Sequence, residues 1–351
     1  MVTVVQQYGI EACSAFLYLE YTKNNNAHFF FNHQGEGFNL SYLEDMNRLA
    51  NVLLAKTDIN LNRFHLITGA VNCPRNISIY KQICQEYAWH EFPLWFDDFW
   101  ESFNINKIPN FEIDYNKKTK RILCYNSVPR LHRIASVCEM YKRNILDKVY
   151  LSINLSQDQI DNMDKGSIKE LSAIFENEAS KEYLDILKQN KKDFPFKLTL
   201  TPDIQNAYKI NKDDERLFKD SVVSLVNETV FSNKDPRKNR IMDQLTYPCT
   251  FATEKFWKTF QGTHPFIMLS TPHYLKGIRH LGYKTFSPYI DESYDDIEDD
   301  QLRFKKVMDE VERIANMTDD QVFNFQQQTK KTLEFNLKLM KTKKPTLVRV
   351  L

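Results

Sequence analysis

The chain has 351 residues, 42% of them hydrophobic and 13% aromatic, enough for about two ordinary domains with cores of their own. Lysine and arginine (47) balance aspartate and glutamate (46) to a net charge of +1, so no global field recruits nucleic acid or a membrane surface. Eight glycines argue against a glycine-rich phosphate loop; the one Gly-x-Gly, Gly35-Glu-Gly37, has Leu40 where the third glycine of a dinucleotide fingerprint falls.

Cys13, Cys73, Cys84, Cys124, Cys138 and Cys249 form no CxxC pair, which points to reduced, buried thiols. No basic segment followed by an apolar core opens the chain, and no apolar run is long enough to span a bilayer. The expectation is a cytoplasmic protein without a transmembrane segment, in a host cytoplasm if virus-encoded, and with no nucleic-acid partner.

Residues 1–27 carry no clear pattern. His28–Asn32 reads as a buried strand, followed by the polar loop His33–Gly37. Ser41 and Glu44 form a capping box ahead of a helical stripe through Leu54. Phe64–Thr68 is the next strand, followed by a helix near Ile77–Tyr87 and an aromatic segment, Phe92–Phe103, with Trp89, Trp95 and Trp100 in or beside it. That segment reads as a core wall, or as a platform for a sugar ring. Strand and helix in alternation predict an open α/β domain with parallel strands.

The basic stretch Lys117–Arg121 marks a boundary, and the rhythm restarts. Strands are expected at Arg121–Tyr125, Val149–Ile153, Phe196–Leu200 and Val222–Val226, with a helix through Ala135–Tyr141 and another near Asp213–Lys219. A helix from Thr253 to Gly262, a strand at Pro265–Leu269, a helix at His273–Leu281 and a short strand at Tyr283–Phe286 follow. Phe304, Val307, Val311 and Ile314 repeat at helical spacing, and Thr318 with Gln321 caps a last helix. The expected organisation is an α/β domain over 1–118, a second over 119–300, and C-terminal helices over 301–351. Two Rossmann-like domains of this kind predict a cleft, with ligand at the carboxyl ends of the strands.

Three constellations carry candidate chemistry. In Phe251-Ala-Thr-Glu-Lys255, Thr253 can cap a helix through its hydroxyl, placing Glu254 and Lys255 in a first turn whose N–H groups and dipole favour an anion. The plainer reading is a surface helix with two solvated charges. Asn126 opens a loop into Arg130-Leu-His-Arg133, where a strand end meets a helix start and an arginine fork suits phosphate oxygens. Surface ion pairing is its plainer reading. Asn227-Glu-Thr229 ends a predicted strand, with Glu228 able to accept from hydroxyls or to cap the next turn. Asp291–Asp295 and Asp299-Asp300 have the look of metal or sugar ligands, but the acidic run after Tyr294 reads as a hinge and solvated face; Asp291 and Tyr294 stay candidates for reaching a donor sugar.

Val222–Phe286 resembles the donor-binding motif of the α1,3-fucosyltransferases. Its strand, Glu-containing turn, aromatic-x-Thr-Glu-Lys helix start and following apolar strand correspond to Val222–Val226, Asn227-Glu-Thr229, Phe251–Lys255 and His264–Met268. The family's arginine at the first helix of the donor domain corresponds to Arg133. The resemblance implies a two-domain GT-B glycosyltransferase that transfers a sugar from a GDP- or UDP-sugar to a glycan hydroxyl, with inversion and no essential metal or other cofactor. It implies that Arg133 and Lys255 hold the diphosphate and that Glu254 takes the ribose hydroxyls. Phe251 stands where the family has a tyrosine, so a hydroxyl is missing there, and the stretch between Thr229 and Phe251 is longer than in the motif.

A leaving nucleoside diphosphate gathers negative charge, which fixed cations and a helix start can stabilise. The acceptor hydroxyl needs a base; the resemblance implies an N-terminal-domain carboxylate, for which Glu36 is the candidate, with His33 beside it. The alternatives are a non-catalytic glycan- or nucleotide-binding protein of the same fold and a metal-dependent glycosyltransferase of another fold.

Overall fold

Parallel strands are covered on both faces, so they read as short apolar runs rather than as alternation. The computed structural model describes residues 118–198, 212–232, 234 and 250–342, and the backbone of four strands at 2–5, 28–33, 64–68 and 88–91. Those four, β1 (Val2–Val5), β2 (His28–His33), β3 (Phe64–Thr68) and β4 (Ala88–Glu91), pair in parallel in the order β1-β2-β3-β4. Val5, Phe31, Leu66 and Trp89 stand side by side across the sheet.

β1 and β4 have no counterpart among the sequence expectations, and β4 contains Trp89, which adjoins the expected aromatic segment. β2 runs one residue further than expected, pairing His33 with Thr68, so His33 ends a strand rather than opening a loop. The helices expected near Ser41 and Ile77, the remaining aromatic segment and Glu36 lie outside the described residues.

The second sheet is also parallel, with β5 (Ile122–Tyr125), β6 (Val149–Ser152), β7 (Val223–Asn227) and β8 (Phe266–Leu269) in the order β6-β5-β7-β8. The chain runs outward from β5 to β6, returns across to β7, and runs outward again to β8. The reversal between β5 and β7 is a topological switch point, where the loops diverge and leave a crevice at the carboxyl ends of the strands. The chain divides into two compact units, Met1–Asp97 with Lys238–Phe251 and Lys344–Leu351, and Asp98–Arg237 with Ala252–Lys343. Each has one of the two sheets.

The helices of the second unit are α1 (Leu131–Lys142), α2 (Gln157–Asp161), α3 (Lys165–Leu171), α4 (Asn177–Gln189), α5 (Lys212–Lys219), α6 (Glu254–Gln261), α7 (Tyr274–His280), α8 (Asp300–Ala315) and α9 (Asp319–Thr342). The helix α8 lies on β5 and β8, α6 lies on β7, and α9 covers α6. Phe304, Val307, Val311 and Ile314 are all buried, as their spacing predicts. The Thr318–Gln321 capping box is formed, each side chain taking the other residue's backbone N–H. Around α6 an aromatic core gathers Phe256, Trp257, Phe260, Phe266 and Tyr283, with ring centroids 4.6–5.8 Å apart.

Three expectations are corrected here. Tyr283–Phe286 is not a strand; the side-chain amide of Asn336 on α9 takes the Lys284 N–H and donates to its carbonyl, both at 2.8 Å, in place of a neighbouring strand. Phe196 makes only an isolated antiparallel bridge with Ile153, and residues 199–200 are outside the described range. The acidic segment is not a solvated face throughout. Asp295 and Asp300 are buried, and Tyr294 turns its hydroxyl inward to accept from the Met268 N–H at 3.1 Å. Asp295 closes the start of α7 by accepting from Leu275 and Lys276 N–H groups, while Asp299 caps α8.

Candidate functional site

The switch point places two strand ends side by side, and each leads to residues singled out in the sequence. β5 ends on Tyr125, Asn126 follows, and a four-residue loop delivers Arg130 to the N-cap of α1. Arg130 is extended (φ −79°, ψ 157°), its own side chain does not cap the helix, and the first turn contains no acid. First-turn N–H groups have no partner within a helix, so this end presents donors and a positive dipole. The Arg130 side chain is half-buried, and its buried Nε has no hydrogen-bond partner among the described residues.

One turn on, Arg133 faces the other way. It is 2% exposed, and its terminal nitrogens donate to the carbonyls of Val128 (3.1 Å), Asn227 (3.0 Å) and Glu228 (3.1 Å). Carbonyls at the end of β7 occupy the guanidinium, which fastens the β5 loop to the β7 loop. Beside it, the Asn227 amide donates to Asn126 Oδ1 at 2.9 Å and lies near Cys124 and Ser136. Burial among these groups pushes the Cys124 thiol up to about 12, so it stays neutral.

Glu228, 1% exposed, joins this end of the sheet to α6. Its carboxylate accepts from the Thr253 N–H (3.0 Å), the Thr253 hydroxyl (2.7 Å), the Tyr274 hydroxyl (3.0 Å) and the Thr229 N–H (3.3 Å). Thr253 does sit at the N-cap of α6, but its hydroxyl does not cap the helix as expected: it donates to the Glu228 carboxylate and accepts from the Lys255 ammonium. Lys255, half-buried in the first turn, reaches back to Thr253 Oγ1 at 3.3 Å. Phe251 is buried, and Glu254 heads the helix through its described backbone.

Asn126, Arg133, Glu228, Thr253 and Lys255 thus form one hydrogen-bonded chain, with Arg130 at the edge of it. Sequence reasoning missed Tyr274, the part played by Asn227 within its constellation, and that of His132, whose Nε2 lies 2.9 Å from the Glu228 carbonyl while its ring stacks on Phe231. Tyr274 left no signal, since a tyrosine opening a helix is unremarkable until the fold brings it to Glu228. Of the two proposed bases, His33 is placed only by its backbone at the end of β2.

Comparisons with protein-family models, curated proteins and solved structures gave no match. Among the described residues, no group of three or more His, Cys, Asp or Glu side chains is placed to hold a metal ion, and no helix is long and apolar enough to cross a membrane.

Proposed function

We propose that this protein is a GT-B glycosyltransferase whose second unit binds a nucleotide diphospho-sugar at the switch point between β5 and β7. The observation that carries the reading is the acid-free start of α1, with Arg130 at its N-cap and the buried Arg133–Glu228–Thr253 assembly beside it. An anion there meets helix N–H groups and a guanidinium, and Lys255 supplies a second cation at the start of α6.

In this reading the roles differ from those the resemblance implies. Arg130 and Lys255 receive the diphosphate, while Arg133 and Glu228 hold the two loops and the first turn of α6 in register. Glu254 is assigned to the ribose hydroxyls, as the resemblance implies. As the sugar–oxygen bond breaks, charge grows on the leaving diphosphate, and fixed cations stabilise it most when water is excluded. The acceptor is a glycan hydroxyl, attacked from the face opposite the leaving group. Its proton goes to a base, for which Glu36 and His33 are the candidates.

The test is binding of GDP and UDP with chelator present, followed by calorimetry or thermal shift, since a true ligand raises the melting temperature. Arg130→Ala and Lys255→Ala should each weaken binding by about tenfold or more, equivalent to about 1.4 kcal/mol. Absence of binding by the wild type, or unaltered binding in both variants, overturns the proposal. Binding without transfer of sugar from any donor assigns the protein to the non-catalytic alternative.

A further inference from the structure

One buried arginine outside the proposed contact residues touches every loop at the carboxyl end of β7 and β8. Arg303, on α8, is 1% exposed and sits on the apolar stripe made by Phe304 and Val307. Its Nε donates to the Ser270 carbonyl at 3.1 Å, just after β8. Nη1 donates to the carbonyls of Ile297 (2.8 Å) and Glu298 (3.1 Å), ahead of α8. Nη2 donates to the Phe231 carbonyl (2.8 Å), in the loop after β7, and to Asp300 (2.6 Å). The other Asp300 oxygen takes the Ser232 hydroxyl at 2.6 Å.

The guanidinium also lies over the Phe231 ring, 4.5 Å from its centre. Phe231 stacks on His132 at 5.5 Å, and His132 bonds the Glu228 carbonyl. A continuous path of packed rings and hydrogen bonds therefore runs from α8 to Glu228, and from Glu228 to the first turn of α6.

A buried ion pair is poor evidence for stability, because well-packed apolar side chains in its place are often neutral or stabilising. What Arg303 and Asp300 supply is direction. A planar fork fixes three loops at defined angles, which neither an apolar side chain nor a lysine can reproduce. We propose that Arg303, paired with Asp300, is a positioning residue: it sets the β7 loop and, through Phe231 and His132, the placement of Glu228 and the start of α6. The consequence for ligand binding rests on the nucleotide reading above; the consequence for loop order does not.

Two variants separate positioning from bulk stability. Arg303→Met combined with Asp300→Leu removes both charges and keeps apolar volume, while Arg303→Lys keeps the charge and loses the fork. For each, thermal unfolding, amide hydrogen exchange over Thr229–Ser232, and binding of GDP, UDP and inorganic pyrophosphate are measured. Both variants should fold. Exchange in the β7 loop should accelerate by about tenfold or more while β5 and β6 keep their protection, and affinity for any probe bound by the wild type should fall by a similar factor. Should the double variant fail to fold, Arg303→Lys decides through the same readouts. Unchanged loop exchange in the folded variants overturns the positioning role. Failure of the wild type to bind all three probes overturns the nucleotide reading, and loop exchange then decides the role of Arg303 alone.

Discussion

The two ends of β7 each bury a cluster of polar side chains, and the clusters are built on opposite plans. At the amino end, His264 sits 4% exposed between the hydroxyls of Ser224 (2.7 Å) and Ser221 (3.5 Å), with the Phe218 ring edge-on at 5.3 Å. Burial, with the buried Lys118 ammonium nearby, pushes its imidazole down to about 3, so the imidazole is neutral and hydrogen-bonded to the two serines. At the carboxyl end, Arg133, Glu228, Asp300 and Arg303 are also buried, yet they hold loops together and border the half-buried Arg130 and Lys255. A neutral imidazole held by two hydroxyls stabilises a sheet end. A charged cluster that reaches out to three loops costs desolvation and is suited to holding a site in shape.

The largest expected effect comes from Arg133→Met. It strips donors from the carbonyls of Val128, Asn227 and Glu228 in the interior, and the loss should be about 3–5 kcal/mol. Urea unfolding measures it through a shifted midpoint at constant slope. The proposed nucleotide binding should fall with it, since the β5 and β7 loops part company. A loss under about 1 kcal/mol would show that the guanidinium does not tie the loops together.

The amino end makes a prediction about pH. The folded His264 titrates near 3, against an ordinary value of 6.5. Above the ordinary value neither state binds a proton, so stability is at its full value. As pH falls below it, the unfolded chain takes up a proton that the folded chain refuses, and stability is lost until the folded group titrates. Between pH 6.5 and 4.5 this contributes a loss of about 2–3 kcal/mol. Carboxylates add their own slope, so the measurement is the difference between wild type and His264→Gln. The variant should start less stable at pH 7 and decline less steeply. Parallel pH profiles would contradict a neutral buried imidazole.

The same contrast explains what was legible beforehand. Strands β5 to β8 were readable because a fully covered parallel strand has to be an apolar run, and α6, α8 and α9 because caps and spacing are local properties. That Asn126, Arg133, Glu228 and Thr253 lie at one end of the sheet follows from how strand ends and helix starts converge in an open parallel sheet. Side-chain direction was not readable. Position 133 lies in the first turn of α1 whichever way its arginine turns, and carbonyls 94 and 95 residues downstream decide the matter. Tyr283–Phe286 failed for the same reason, since Asn336, 52 residues from Lys284, does the work of a neighbouring strand. Arg303 was not singled out, since on the buried face of α8 it is one of three charged residues with Asp300 and Glu310.

The smallest expected effect sharpens the comparison most, because it lowers stability without touching the site. Gly262 ends α6 in an ordinary backbone conformation (φ −72°), so no left-handed geometry demands glycine there. The demand comes from packing: a Cβ at this position would lie 2.5 Å from the Phe218 ring, which is itself 3% exposed and wedged against His264. Gly262→Ala must push that ring and disturb the His264 cluster, at a cost of about 1–2 kcal/mol. Its melting temperature should fall, while affinity for GDP or UDP in the folded protein stays at the wild-type value. Arg303→Lys is expected to do the reverse, with a small stability change and a large change in binding. If Gly262→Ala weakens nucleotide binding as much as it weakens the fold, the two ends of β7 do not work independently, and the division of labour between them fails.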